Sequence, residues 1–179
     1  MPGHNGEVDH MSAALDPIFR EAQRPRHWYF WAFLVFLILM MWSMAIYQLL
    51  LGIPVGDNPA GDLELTVIFV LAGVIFPVFL LLIKLEVEVR SDGLFVRFLP
   101  LHLRFKKIPL DGVIDVQSVT FSPLGDFGGW GVRYGDQEKA YTINGKRGVR
   151  LTYKDGRGLL IGSLLPEEME TAIRAIWKR

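Results

Sequence analysis

The chain contains no cysteine, which excludes a disulfide framework, a thiolate zinc or iron–sulfur site and a cysteine nucleophile. It has no surplus of charge: 19 Lys+Arg stand against 19 Asp+Glu in 179 residues, so nucleic acid is not an expected partner. Catalytic signatures are missing too. There is no Gly-x-Ser-x-Gly elbow, no phosphate loop ending in Gly-Lys-Ser/Thr, no His-Glu-x-x-His and no dinucleotide fingerprint. Asp126-Phe127-Gly128 spells the kinase metal-binding triplet without the lysine strand or catalytic loop that would give it meaning, and is read as a loop. His4, His10, His27 and His102 fall at no ligand spacing. No catalytic residue, metal site or cofactor is expected, and the chain is not expected to be an enzyme.

Charge is also absent from two long stretches. Trp28 to Leu51 gives 24 consecutive residues without Asp, Glu, Lys or Arg, and Leu65 to Ile83 gives 19 more. As helices these reach about 36 Å and about 28 Å, enough to cross a hydrocarbon core of about 30 Å. They explain a hydrophobic fraction of 51% and a mean hydropathy of +0.29. A cleaved signal is the competing reading of the first run. It is disfavoured by the run's length, by Glu7, Asp9, Asp16 and Glu21 ahead of it, and by the lack of an Ala-x-Ala site. The prediction is a transmembrane helical hairpin over 27–84, with spans of about 28–51 and 64–83.

Arg20, Arg24 and Arg26 precede the hairpin and Lys84 and Arg90 follow it, whereas its connecting stretch carries Asp57, Asp62 and Glu64. The positive-inside bias therefore places both termini in the cytoplasm. Trp28, Tyr29 and Trp31 suit one headgroup interface and Tyr47 the other. Pro77 should kink the second span or leave a carbonyl free. Residues 1–14 read as a disordered tail. Leu15, Ile18, Phe19 and Ala22 fall at i, i+3, i+4 and i+7, which predicts an interfacial amphipathic helix over 15–26.

Beyond Ile83 the period changes from helical to two. Lys84–Arg90 alternates polar and apolar residues, Ser91-Asp92-Gly93 turns, and Leu94–Phe98 returns. Further strands are predicted at Leu103–Ile108, Val113–Phe121, Trp130–Tyr134, Lys139–Ile143, Val149–Tyr153 and Leu159–Gly162, all at hairpin spacing, which implies an antiparallel, bent or closed sheet. A last helix starts at Pro166. Its stripe of Met169, Ala172, Ile173, Ile176 and Trp177 fits it to cap a sheet opening.

This order resembles the bacterial pleckstrin-homology-like (PH-like) domain. The resemblance is carried by Glu88-Val-Arg-Ser-Asp-Gly-Leu-Phe-Val-Arg97, Ile108-Pro-Leu-Asp-Gly-Val113, Tyr141 with Asn144-Gly145, Gly148-Val-Arg-Leu151, and Asp155-Gly156 leading to Leu160-Ile-Gly162. Across about residues 18 to 178 the chain is similar to a family of uncharacterised bacterial two-span membrane proteins with such a domain. There Phe19-Arg-Glu-Ala-Gln-Arg24 and Gly128-Gly-Trp-Gly-Val-Arg-Tyr134 also recur, while Gly112 stands where a polar residue is more usual. The resemblance implies a PH-like antiparallel β barrel over 85–179, capped by a C-terminal α-helix, on the cytoplasmic side of a bacterial inner membrane. It implies no activity, and no phosphoinositide ligand.

Two binding surfaces are suggested. Residues 84–179 hold 16 Lys+Arg against 12 Asp+Glu. Arg104, Lys106 and Lys107 on one strand, with Lys146, Arg147 and Arg150 around the Asn-Gly turn, are either a solvated face or a reader of anionic headgroups. Trp130, flanked by glycines, is either a core plug or a contact residue for a peptide or membrane subunit. The expected function is a membrane-anchored interaction or scaffolding module. Its partners would be the bilayer and a membrane protein or a second copy of the chain; sensing of anionic lipid is the alternative. A transporter or channel would require oligomers, because two spans enclose no path.

Overall fold

The computed structural model describes residues 16–53, 61–135 and 137–177. The expected tail 1–14, the turn residues Asp57, Asn58 and Pro59, and the terminal Lys178 and Arg179 lie outside them. The chain divides into a helical unit, Arg26–Ile83, and a β unit that combines residues up to Pro25 with those from Lys84 onward.

In the helical unit, α1 (Trp28–Leu50) and α2 (Asp62–Leu81) are long and apolar enough to cross a membrane. Asp62 and Glu64 sit in the first turn of α2, where the partial positive charge of the helix start favours them. Pro77 has no amide hydrogen to return to an earlier carbonyl. The wide π-helical stretch Phe69–Ile75 stands immediately ahead of Phe76–Leu81 and takes up that mismatch. The two helices meet closely at Gly73, where an added Cβ would lie 3.2 Å from Met41 Cβ. Trp42 and Phe69 pack edge to face with centroids 5.2 Å apart.

The β unit contains β1 (Phe19–Gln23), β2 (Lys84–Arg90), β3 (Gly93–Leu99), β4 (Lys106–Ile108), β5 (Val113–Thr120), α3 (Pro123–Phe127), β6 (Gly131–Tyr134), β7 (Glu138–Thr142), β8 (Arg147–Tyr153), β9 (Gly158–Gly162) and α4 (Pro166–Trp177). One sheet runs β1-β2-β3-β4 and the other β5-β8-β9-β7-β6. Leu85, Val87 and Val89 on β2, Leu151 on β8 and Leu160 and Ile161 on β9 are fully buried, as are Met169 and Ile173 of the α4 stripe. The helix packs on β5 and β8 and reaches β1 and β2.

Two expectations are corrected. Residues 19–23 form a strand, not part of an interfacial helix over 15–26. β1 pairs antiparallel with β2 from Phe19↔Val89 to Gln23↔Leu85. Its inward side chains are Phe19, Glu21 and Gln23, so alternation is present but is mostly polar. Ile18, from the expected apolar stripe, is 54% exposed. The second correction concerns the barrel. It is not closed: the sheets are separate ladders, and the larger is mixed because β7 pairs parallel with β9. β9 lies between β7 and β8, so the Asn144-Gly145 turn spans a strand instead of closing a hairpin. Gly148 permits this. The Ile161 carbonyl oxygen would stand 2.4 Å from any Cβ there, so a side chain would exclude the close approach of β8 to β9.

Smaller differences follow local chemistry. β4 begins at Lys106, leaving Leu103 and Arg104 in the bend before it. Pro123-Leu-Gly-Asp-Phe127, in a stretch between strands expected as loop, forms α3, with Ser122 as its cap. The Ser122 hydroxyl accepts from Gly125 N at 3.2 Å, and the Asp126 carboxylate accepts from Ser122 N at 2.8 Å. Gly128 ends α3 with φ +66°, a left-handed cap that suits glycine.

Candidate functional site

Strand register gathers several predicted residues at one end of the β unit. Gln23 faces Leu85 and Lys84 faces Leu99, so the finish of β1, the start of β2 and the finish of β3 coincide. Both connections between the β unit and the helical unit therefore leave from this end. Three hydrogen bonds bring other loops to it: Gln23 Nε2 donates to the Gly162 carbonyl at 2.9 Å, Asn144 Nδ2 to the Arg24 carbonyl at 2.6 Å, and Trp130 Nε1 to the Gly145 carbonyl at 3.3 Å. The β3–β4 loop also emerges here, with His102 N bonded to the Phe98 carbonyl at 2.8 Å.

What this end exposes is apolar and basic. Leu101 and Leu103 are 60% and 74% exposed, flanked by exposed Arg104, and Lys146 is exposed on the β7–β8 turn. Among the described residues neither Arg104 nor Lys146 has a carboxylate partner. Trp130 is half-buried and braces the turn through its indole N–H, which gives it a structural task at this surface.

The remaining predicted cations are engaged or placed apart. Arg147 pairs with Glu167 of α4. Arg150 lies three residues further along β8 and makes a forked pair with Glu138 at 2.6 and 3.2 Å. Lys107 stacks over Phe95 and stands 3.7 Å from Asp92. Lys106, its neighbour on β4, faces a separate cleft. The six basic residues thus do not converge into one phosphate cradle. Leu101 and Leu103 are the residues the sequence reading missed, because it assigned Leu103 to a half-buried strand.

The outer face of the β1–β4 sheet is a neutralised network. Glu86 and Glu88 are buried beneath Lys84, Arg20, Arg90 and Arg97. Arg97 lies 4.4 Å over the Phe105 ring and Arg90 4.7 Å over Phe95. Burial pushes the Glu86 carboxyl up, but hydrogen bonds from Lys84 and Arg97 outweigh it and hold the group below its usual 4.5. Such an internally paired face is a structural feature.

Two helices fit to cross a membrane and a two-sheet β unit built from both sides of them define a helical-hairpin-plus-β protein. The chain belongs to a family of unknown function (DUF6141), whose model matches residues 12–177. No curated protein and no solved structure matches it.

Proposed function

We propose that the chain is a membrane-anchored, non-enzymatic interaction module whose PH-like β unit meets the anionic cytoplasmic leaflet through the end bearing Leu101, Leu103, Arg104 and Lys146. One observation carries the reading: β1 precedes the helical pair and β2 follows it, so the chain enters and leaves the β unit at the end that also exposes the Leu-and-Arg loop. Apolar side chains at headgroup depth, with each nearby cation adding about 1 kcal/mol of attraction to an anionic surface, favour lipid contact there. The basic residues flanking the spans support an orientation with both termini cytoplasmic.

Single cysteines at Leu103 and Asp155 test this without background thiols, Asp155 lying on the β8–β9 turn at the opposite end of the strands. With the full chain in nanodiscs containing anionic lipid, nitroxide-bearing lipids should quench a fluorophore at Leu103→Cys and spare one at Asp155→Cys. Equal quenching at both positions, or none at Leu103→Cys, rejects the reading.

A further inference from the structure

A second site lies away from that end, in a cleft of about 440 Å³ between β4, β6–β7 and the β8–β9 turn. It lies beside β4 and β6, each the outermost strand of its sheet. Tyr134 and Lys139 face each other across the β6–β7 hairpin, and Tyr141 follows on the same side of β7. The Lys139 ammonium lies 4.6 Å from the Tyr134 ring centre and 4.7 Å from that of Tyr141. Tyr141 is 1% exposed and forms the floor, while Tyr134 stands at the rim. Lys106 enters from β4, and Ile108, Pro109 and Leu159 supply apolar wall.

Among the described residues the charges are unbalanced. Glu138 is taken by Arg150 and Arg157 by Asp155 at 2.6 Å. Among the described residues Lys106 and Lys139 have no carboxylate partner. Burial pulls the Lys139 ammonium down, but its contacts with the Tyr134 and Tyr141 hydroxyls outweigh this and keep it charged. His102, with its ring 6.0 Å from Tyr141, is held below its usual 6.5 by burial and then by Lys139 and Lys106. The cleft therefore carries positive potential over aromatic and aliphatic walls.

We infer that this cleft binds a small organic monocarboxylate, its carboxylate between Lys139 and Lys106 and its apolar body against Tyr141, Ile108 and Leu159. A carboxylate fits better than a phosphate dianion. Among the described residues two cations lining the cleft are without a carboxylate partner, and a dianion stripped of water needs more donors than two ammonium groups beside apolar wall provide. The acid could come from the bilayer as an alkyl chain or from solution as an aryl acid, and the two share this chemistry. The inference does not depend on the lipid-contact reading above, which rests on other residues.

Calorimetric titration of the full chain in zwitterionic nanodiscs tests it with octanoate, 2-naphthoate and phenyl phosphate. At least one carboxylate should bind saturably, and the better of the two names the alkyl or aryl source. Lys139→Gln and Lys106→Gln should each weaken it by about tenfold or more, whereas Lys154→Gln, on the exposed β8–β9 turn, should not. Lys106 is exposed, so its variant remains informative if Lys139→Gln fails to fold. No saturable binding, tighter binding of phenyl phosphate, or unchanged affinity in Lys106→Gln overturns the assignment.

Discussion

The Glu170 carboxylate of α4 accepts the backbone N–H of Ser118 at 2.7 Å, completing an edge that no strand covers. β5 ends the larger sheet, and α4 serves it with side chains: Arg174 donates to the Val116 carbonyl, and Trp177 Nε1 to that of Val113 at 3.2 Å. The helix thus caps the sheet by apolar packing and also stands in for a neighbouring strand. Glu170→Ala removes the acceptor and should cost about 1–2 kcal/mol, read as a lower thermal midpoint. Hydrogen bonds from Ser118, opposed by burial, hold the Glu170 carboxyl below its usual 4.5. Its contribution is therefore present above 4.5 and lost as pH falls through the lower folded value. The gap between wild type and Glu170→Gln should shrink in acid; a gap independent of pH contradicts the pairing.

Glu21 makes the corresponding prediction for β1. Its carboxylate accepts from the Ser163 hydroxyl at 2.5 Å and from Leu164 N at 2.8 Å, and both Glu21 and Ser163 are buried. Glu21→Ala leaves the buried Ser163 hydroxyl and the Leu164 amide without their acceptor and should cost about 1–3 kcal/mol. Amide exchange should accelerate over residues 19–23 and 162–164 together. Faster exchange in only one of these segments would mean that β1 is not locked to the β9–α4 connection.

These two carboxylates also show what the sequence concealed. The two apolar helices, the eight strands after Ile83 and α4 are written in local periodicity, and each is found within a few residues of its expected place. β1 was hidden because its inward positions are Glu21 and Gln23, which look like a solvated face until Gly162, Ser163 and Leu164 are brought to them from about 140 positions away. The mixed sheet was hidden for a similar reason: the Asn-Gly turn after β7 looks like a hairpin, and only the glycine facing Ile161 distinguishes the two. Of the candidate site, the cations were visible but their partners Glu138 and Glu167 were not. Tyr134 and Lys139 flank a short β6–β7 turn, so that cross-strand pair could have been found from spacing alone.

His102 gives a titration. Burial, followed by Lys139 and Lys106, depresses its pKa, so its midpoint by NMR should fall below 6.5. The neutral form is the one the fold favours. That contribution to stability is present above 6.5 and lost as pH falls through the depressed value. Lys139→Gln removes one nearby positive charge and should move the midpoint upward. A midpoint insensitive to Lys139→Gln would place the ammonium elsewhere.

The two units make opposite demands on glycine, and substitution separates them. In the helical unit, a Cβ at Gly73 would lie 2.8 Å from the Phe69 ring and 3.2 Å from Met41 Cβ. The flexible ring can rotate away, so Gly73→Ala should be tolerated, while Gly73→Leu should force α1 and α2 apart. In the β unit, Gly148 faces backbone, which has nowhere to go. Gly148→Ala should cost at least about 1–3 kcal/mol, and the chain from Lys84 onward should become protease-sensitive. The helices keep their own apolar surfaces whatever β8 does, so the Gly148→Ala chain should still resist alkaline carbonate extraction. A variant with wild-type melting would show that β8 and β9 do not approach as closely as this sheet order requires. A variant washed out by carbonate where the unsubstituted chain is retained would show that this retention depends on the β unit.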